Sequence, residues 1–440
     1  MRLRTLDIFL GKRPVGQLFQ YGEGGNAVTR LIPDAAFWND SQAPTLSLAT
    51  AIDLPAEREA FWRGYINQPF FNGQGSQLPC FFQNLLPEGA LLRHLAELRG
   101  CSPGDHFEML AACGTDLPGA VYALPATLQR GDVARIVVQN NDTVEVTVTA
   151  DPMQGATSLS GIQPKLSLVM SGGRYVARTK NASGMHIIAK LPTVDYPLLP
   201  EVEELSLRMA AAAGVAVAQA HLVPLAQIDT ELPFLLGASA QFLAVQRFDR
   251  EHGSTHIHCE DFAQVLSVLP DNKYTDPAAT YALMARVMLA TPGLNETAIL
   301  ELLRRITVNE LLGNFDAHVK NFGVIYRDGQ APTLSPAYDV VAYAAYLGGR
   351  GHALRFTPDS ARQARLTPAV LRAWSRFAGF SEVRAGAAVR ETVKRACQQW
   401  PGMITGSTLL DAQKQRLLMH FEGVPLVQSY RARAHRAKAA

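Results

Sequence analysis

Cysteine is scarce in this chain and follows no pattern. The five cysteines, Cys80, Cys101, Cys113, Cys259 and Cys397, are far apart, odd in number and without a CxxC pair. That argues against a disulfide framework or a cysteine metal site and suits the reduced thiols of a cytoplasmic protein. An excess of one charge is also lacking: the net charge of +2 is too small to gather nucleic acid by field alone. No signal peptide is expected, because Asp7, Lys12 and Arg13 interrupt the first apolar run. Residues 209–228 carry no charge, but Gly214, Gln219, His221 and Pro224 lie among them. They read as a buried helix running into a strand, not as a membrane span. No internal repeat or low-complexity tract is present.

What is there suffices for a large fold. With 440 residues and 48% hydrophobic side chains, the chain can bury two or three cores and is not disordered throughout. Alternating residues predict a hairpin from 6–10 and 15–18 around Gly11-Lys12-Arg13, with short strands at 30–32 and 46–48. Leucines at helical spacing predict a helix over 83–99, with Pro87 as its start signal. A glycine loop at 114–120 leads to a strand at 121–124. Together these make a small α/β module over residues 1–125. Residues 126–155 read as a joint with one strand at 143–148. Strands follow at 166–170, 175–177 and 186–191, a helix over 200–213, and strands over 216–225 and 241–248. Helical periodicity dominates 261–315 and 367–421. The basic end, Arg431, Arg433, Arg436 and Lys438, reads as a solvated tail, with a phosphate-contacting arm as the alternative.

Three residues carry the chemistry. Asp316 opens Asp316-Ala317-His318-Val319-Lys320-Asn321, an Asp followed five residues later by Asn. Asp339 closes Pro336-Ala337-Tyr338-Asp339 ahead of the apolar Val340-Val341, and residues 322–329 between them predict a hairpin. This spacing resembles a protein-kinase catalytic centre, where the first Asp orients the acceptor hydroxyl while the Asn and second Asp hold Mg²⁺ at the triphosphate. Strands, one helix, strands and a helical remainder is likewise the two-lobe kinase layout. The predicted class is therefore α+β: the small N-terminal α/β module, then a two-lobed protein-kinase-like fold with lobes over 126–250 and 251–440, the second mostly helical.

Phosphoryl transfer also needs a cradle for phosphate oxygens and a cation beside them. Ser160-Gly161-Ile162-Gln163-Pro164-Lys165 offers the cradle, although it is neither GxGxxG nor a Walker A loop and alone would read as a plain turn. Lys190 closes an apolar strand and offers the cation. An acid on the next helix, Glu201, Glu203 or Glu204, would have to pair with it; otherwise the Lys reaches out from a strand edge. His318 and Lys320 could support the γ-phosphate, or His318 could simply brace the loop.

Taken together, these segments resemble the HipA family of bacterial serine/threonine kinases, the toxin halves of toxin–antitoxin pairs. The matching pieces begin in the first module with Asn84-Leu85-Leu86-Pro87-Glu88 and Gly114-x-Asp116-x-x-Gly119-Ala120. They continue through residues 160–166 and 186–191, Arg247-Phe248-Asp249-Arg250, Glu260-Asp261-Phe262 with Gln264, and residues 314–321 and 336–339. The resemblance implies ATP and Mg²⁺ as cofactors. It implies a phosphate loop at Ser160, Gly161, Ile162, Gln163 and Lys165, a nucleotide lysine at Lys190 with Glu203 as partner (Glu204 the fallback), and an adenine hinge at Gln246, Arg247 and Phe248. The base is Asp316 with His318 and Lys320 beside it. Tyr338 borders the nucleotide, and Asn321 and Asp339 are the metal ligands. Autophosphorylation of Ser158, with Ser160 as second candidate, would eject the loop and switch the enzyme off.

The resemblance further implies a protein substrate in translation, such as an aminoacyl-tRNA synthetase, and a helix-turn-helix antitoxin (HipB-like) as partner. DNA would be reached mainly through that antitoxin, and no membrane is involved. Gln246 stands where the family usually has Glu, Val202 where Asn usually precedes the paired acid, and Ala263 where Cys is frequent. None of these removes the base or a metal ligand. Two other readings stay open: a small-molecule phosphotransferase, and a catalytically silent co-repressor.

Overall fold

The chain opens on the expected hairpin. In the computed structural model β1 (Arg2–Leu10) and β2 (Arg13–Tyr21) pair antiparallel, and Gly11 at φ 59° supplies the left-handed corner between them. The structure describes the chain except residues 1, 23–25, 52–60, 62–63, 127–144, 147–148, 155, 162, 178–183, 252–254, 350 and 440. β3 (Val28–Pro33) extends the sheet beyond β2, and β4 (Val121–Pro125) and the short β5 (Glu145–Val146) pair with β1. The expected strand at 143–148 is described only over β5, which joins this first sheet.

Two expectations for this module are corrected. Residues 46–48 are not a strand: Ser47 accepts from Ala49 N–H and starts a 3-10 turn, Leu48–Thr50. The helix expected over 83–99 is broken into a single turn, Cys80–Gln83, and α1 (Gly89–Arg99). Pro87 lacks the N–H a helix interior requires and drives the residue before it out of helical conformation. With α2 (His106–Ala112), these pieces pack Phe81, Phe82, Phe107 and Leu110 against Leu6 and Ile8 of β1.

The second sheet contains β6 (Lys165–Ser171), β7 (Arg174–Ala177), β8 (Met185–Lys190), β9 (Ala220–Pro224), β10 (Ile228–Asp229) and β11 (Gln241–Gln246). Its order is β10-β7-β6-β8-β11-β9, with α3 (Leu199–Ala212) inserted between β8 and β9 in sequence. The last two expected strands are trimmed. Val217 makes only a lone bridge to Ala337, and Arg247 and Phe248 leave the sheet toward the second lobe. That lobe carries a small sheet, β12 (His258–Asp261), β13 (Gly323–Tyr326) and β14 (Thr333–Leu334). After one short helical turn at Phe262–Val265, its longer helices are α4 (Tyr281–Ala290), α5 (Glu296–Leu312), α6 (Pro368–Ala378), α7 (Glu382–Thr405), α8 (Asp411–Gly423) and α9 (Pro425–Ala439).

The basic C-terminal stretch, expected as a frayed tail, is helical within α9. Pro425 suits a first helical position, Val427 is anchored in the core, and Arg431 reaches Glu422 at 3.2 Å. Among the described residues no helix is long and apolar enough to cross a membrane.

Candidate active site

Lys190 owes its direction to strand parity. Ile187 and Ala189 of β8 turn into the core of the second sheet, so Ile188 and Lys190 face the opposite side, toward α3 and the second lobe. Lys165 of β6 lies directly across the ladder from Lys190. One turn into α3, Glu203 Oε1 accepts from Lys190 Nζ, both side chains buried. Glu204 pairs instead with Arg208 at 2.7 Å, and Glu201 accepts from Ser239 Oγ at 2.5 Å. Of the three candidate acids, the structure brings Glu203 to the lysine.

Lys190 Nζ also donates to Asp339 Oδ1 at 2.5 Å. Burial disfavours the Lys190 charge, but the Asp339 and Glu203 carboxylates outweigh it and hold its pKa above the ordinary lysine value. Burial likewise pushes Asp339 up, yet Lys190 and Lys165 keep its carboxyl well below the usual range. Asp339 sits at φ 58°. For a residue with a Cβ this costs about 1–3 kcal/mol and persists only where the surroundings over-determine it.

The loop that carries Asp316, expected to be catalytic, begins where α5 ends at Gly313, whose φ of 64° closes the helix. Asn314 donates to Asn309 Oδ1 at 3.1 Å and accepts from Asp316 N–H at 3.4 Å, which braces the loop beneath Asp316. Asp316 opens onto a cavity of about 830 Å³, shared with Lys165, Lys273, Tyr274, His318 and Asp339. The walls around it push its carboxyl up, against the pull of Tyr274 Oη, which donates to Oδ1 at 2.5 Å. Burial and Lys273 push His318 down to about 3, so its ring is neutral near pH 7. A 3-10 turn, Val319–Asn321, then sets Asn321 Nδ2 on Asp339 Oδ2 at 2.8 Å, while Asn321 Oδ1 accepts from His318 N–H at 2.8 Å.

The Asp339 and Asn321 side chains are in contact and carry oxygens of the hard kind that a divalent cation such as Mg²⁺ takes together with phosphate oxygens, although Asn321 here presents Nδ2 to Asp339 and Oδ1 to His318 N–H. Among the described residues no group of three His, Cys, Asp or Glu side chains could hold a metal unaided. An ion here would share its coordination with a phosphate.

In the loop expected to hold phosphate, Gly161, at φ 101°, lies over Lys165; a Cβ there would fall 2.6 Å from Lys165 Nζ. Lys165 Nζ donates to Ser160 O at 2.5 Å, and Gln163 Nε2 ties the loop to Leu191 O at 3.0 Å. Ile162 lies outside the described residues. Ser160 Oγ donates to Glu88 Oε1 at 2.9 Å. Ser158 is wholly buried, its Oγ on Leu85 O and its N–H on Asp116 O at 3.0 Å. Any chemistry at that hydroxyl requires the loop to leave its seat.

At the segment expected to be the adenine hinge, Gln246 N–H is taken by Gln219 O at 2.8 Å and Arg247 N–H by His186 O at 3.0 Å. The Arg247 guanidinium is committed elsewhere, in a buried cluster with Asp249 at 2.8 Å and Asp116 at 3.4 Å; Arg250 holds the same two acids at 2.7 Å each. The Phe248 ring packs on Tyr338, centroids 5.7 Å apart, and Tyr338 Oη donates to Lys320 O at 2.8 Å. An inner cavity of about 170 Å³, lined by Ile188, Leu207, Val245, Phe248 and Val324, meets the outer one at Gly161, Lys165, His318 and Asp339. The inner cavity carries this apolar wall, and the outer one carries Lys165 and Lys273 alongside Asp316 and Asp339.

Three residues of the site carry no role in the sequence reading. Glu88 figured only within a motif of the first module. Lys273 and Tyr274 lie in a loop that offers neither periodicity nor spacing. Lys320 is buried, with its Nζ 2.7 Å from Glu88 Oε1 and 3.2 Å from Asn84 O.

Comparison with known proteins supplies the family. The HipA N-terminal domain matches residues 6–124 and the HipA-like C-terminal domain residues 157–400. The chain is 33% identical over 404 residues to the Y4dM protein of Sinorhizobium fredii, covering 91% of this chain and 92% of that one. It is 28% identical over 302 residues to the serine/threonine-protein kinase toxin HipA of Shewanella oneidensis, covering 62% and 65% respectively. In fold it is similar to the Shewanella oneidensis MR-1 chain solved in the complex of HipA, HipB and operator DNA, with TM-score 0.64, 21% identity and coverage of 97% and 99%. Both domains, in order and over most of its length, place the chain in the HipA family.

Proposed function

We propose that the chain is an ATP- and Mg²⁺-dependent protein serine/threonine kinase, the toxin of a toxin–antitoxin pair. The observation that carries this reading is the run of contacts Glu203–Lys190–Asp339–Asn321, which reaches the cavity of Asp316 at Asp339. The inner apolar cavity suits adenine. Phe248 N–H, which has no hydrogen-bond partner among the described residues, would donate to it. Lys190 and Lys165 hold the α- and β-phosphates, and the backbone around Gly161 approaches them closely. Asp339 and Asn321 would hold Mg²⁺, which neutralises charge on the triphosphate when bound.

Asp316 accepts the hydrogen of the acceptor hydroxyl and takes its proton, a task its raised pKa suits. Neutral His318 fixes Asn321 through its backbone N–H. Catalysis is then mainly positioning and charge stabilisation. The reading includes self-inactivation by phosphate on Ser158, a protein of translation as substrate, and a helix-turn-helix antitoxin through which operator DNA is reached. The HipA, HipB and operator DNA assembly of Shewanella supports the last part.

Labelled ATP supplied to the purified chain in cell lysate tests this. Label is expected on protein, including Ser158 of the chain itself, and should fall at least about 10²-fold in Asp316→Asn. Label on small molecules alone would favour a phosphotransferase. A chain that turns over no ATP, with Asp316→Asn as toxic as the parent, would leave a silent co-repressor.

A further inference from the structure

Glu88 belongs to the first module, yet every contact of its carboxylate lies in the kinase lobes. It stands at the N-cap of α1 and makes no capping bond there. A Glu at that position contributes little to its own helix, where Ser, Thr, Asp or Asn would serve. Its Oε1 instead accepts from Lys320 Nζ at 2.7 Å and from Ser160 Oγ at 2.9 Å, and its Oε2 from Lys273 Nζ at 3.0 Å. One half-buried carboxylate thus joins the catalytic loop, the phosphate loop and the loop before α4.

The rest of the segment is fastened to the same places. Asn84 O accepts from Lys320 Nζ at 3.2 Å, Asn84 Nδ2 donates to Val268 O at 2.9 Å, and Leu85 O holds Ser158. Pro87 is what turns the chain here, so that helix Cys80–Gln83 stops and the carboxylate is carried inward.

The two lysines need this acid. Lys320 and Lys273 are both buried, and among the described residues Glu88 is the acid in salt-bridge contact with each. Without it, two buried like charges would face one another with no counter-charge, an arrangement that side chains escape by moving. Lys273 also lines the outer cavity with Asp316, His318 and Asp339, where a transferred phosphate would carry its charge. Burial would raise the Glu88 pKa, but Lys320 and Lys273 hold it well below the usual range, so the carboxylate is charged near neutral pH.

We infer that Glu88 is a positioning residue for phosphoryl transfer, supplied by the first module to fix Lys273, Lys320 and Ser160 in one arrangement. This rests on the kinase reading above. It makes the first module part of the catalytic centre.

The test uses the full chain, with initial rates of phosphate transfer measured against ATP concentration for the parent, Glu88→Gln, Lys273→Met and the double variant. Glu88→Gln keeps shape and removes charge. Its kcat should fall roughly 10²-fold, the cost of misplacing a group near the chemistry, with a smaller change in KM. Because Glu88 acts through Lys273, its substitution should cost less on the Lys273→Met background than on the parent. A Glu88→Gln kcat within about threefold of the parent, or equal losses on both backgrounds, overturns the inference. Should Glu88→Gln fail to fold, Lys273→Met decides alone: a fall in kcat supports the arrangement and an unchanged kcat removes it. A parent that transfers no phosphate sinks the kinase reading and this inference with it. An active parent with an unaffected Glu88→Gln sinks the inference only.

Discussion

His258 is buried on β12, stacked on Tyr326 at 5.2 Å, with its Nε2 2.7 Å from Leu46 O. Burial pushes its pKa down to about 4, only partly offset by the Leu46 carbonyl. Between about pH 4 and 6.5 the unfolded chain therefore binds a proton that the folded chain refuses, and stability falls as pH drops through that window. Its neighbour Glu260 acts with the opposite sign. Burial pushes Glu260 up to about 7 despite bonds from Ser47, Tyr326 and Leu48, so its contribution is lost as pH rises from the ordinary carboxylate range toward 7. The two partly cancel in the parent, and the difference between parent and variant isolates His258. Relative to His258→Gln, the parent should lose on the order of 1 kcal/mol per pH unit from 6.5 toward 4 in urea unfolding. A difference that does not move with pH removes this account.

At the scale of elements, the loop before β4 is the hinge's neighbour. Gly119 N–H donates to Asp249 Oδ2 at 3.0 Å, and Arg250 donates to Gly119 O at 3.0 Å. Gly119 sits at φ 70°, and a Cβ there would lie 2.7 Å from Cys259 N and 2.8 Å from Cys259 O, both backbone atoms that cannot swing away. Gly119→Ala should cost roughly 1–2 kcal/mol for the left-handed backbone alone, and more once β12 is pushed aside, read as a lower unfolding midpoint in denaturant. An unchanged midpoint would mean that this loop is not held as described.

The same loop marks the limit of sequence reading. Strand parity placed β8 and the side chain of Lys190, and the spacing of Asp316, Asn321 and Asp339 placed residues 314–321 and Asp339 at the two ends of a hairpin, because those signals are local. The segment at 46–48 read as a strand since its role, with Leu46 O on His258 and Ser47 on Glu260, is set more than 200 positions away. Lys273 and Tyr274 escaped for the same reason, since their partners come from other elements and leave no period or motif in the neighbouring sequence; Glu88 stood in a motif, but its partners Ser160, Lys273 and Lys320 could not be read from it.

For the whole molecule, these long-range contacts decide whether the first module is a separate folding unit. Its apolar core contains Ala156 and Leu159 from the approach to the Ser160–Lys165 loop, so that loop and the module share one interior. Ile188 of β8 packs against both the module core and the core of the helical lobe, and Phe234 against both the module core and that of the second sheet. The Asp116, Arg247, Asp249 and Arg250 cluster crosses the same boundary with every member buried. Pulling the module away would strand those charges, and removing one partner of a buried pair typically costs about 3–5 kcal/mol. The module should therefore not unfold ahead of the rest. Scanning calorimetry of the full chain is expected to show one transition whose calorimetric and van't Hoff enthalpies agree. Asp116→Asn should lower its temperature without splitting it. Two separated transitions in the parent would mean that the module stands as an independent domain and that the charge cluster does not bind it to the hinge.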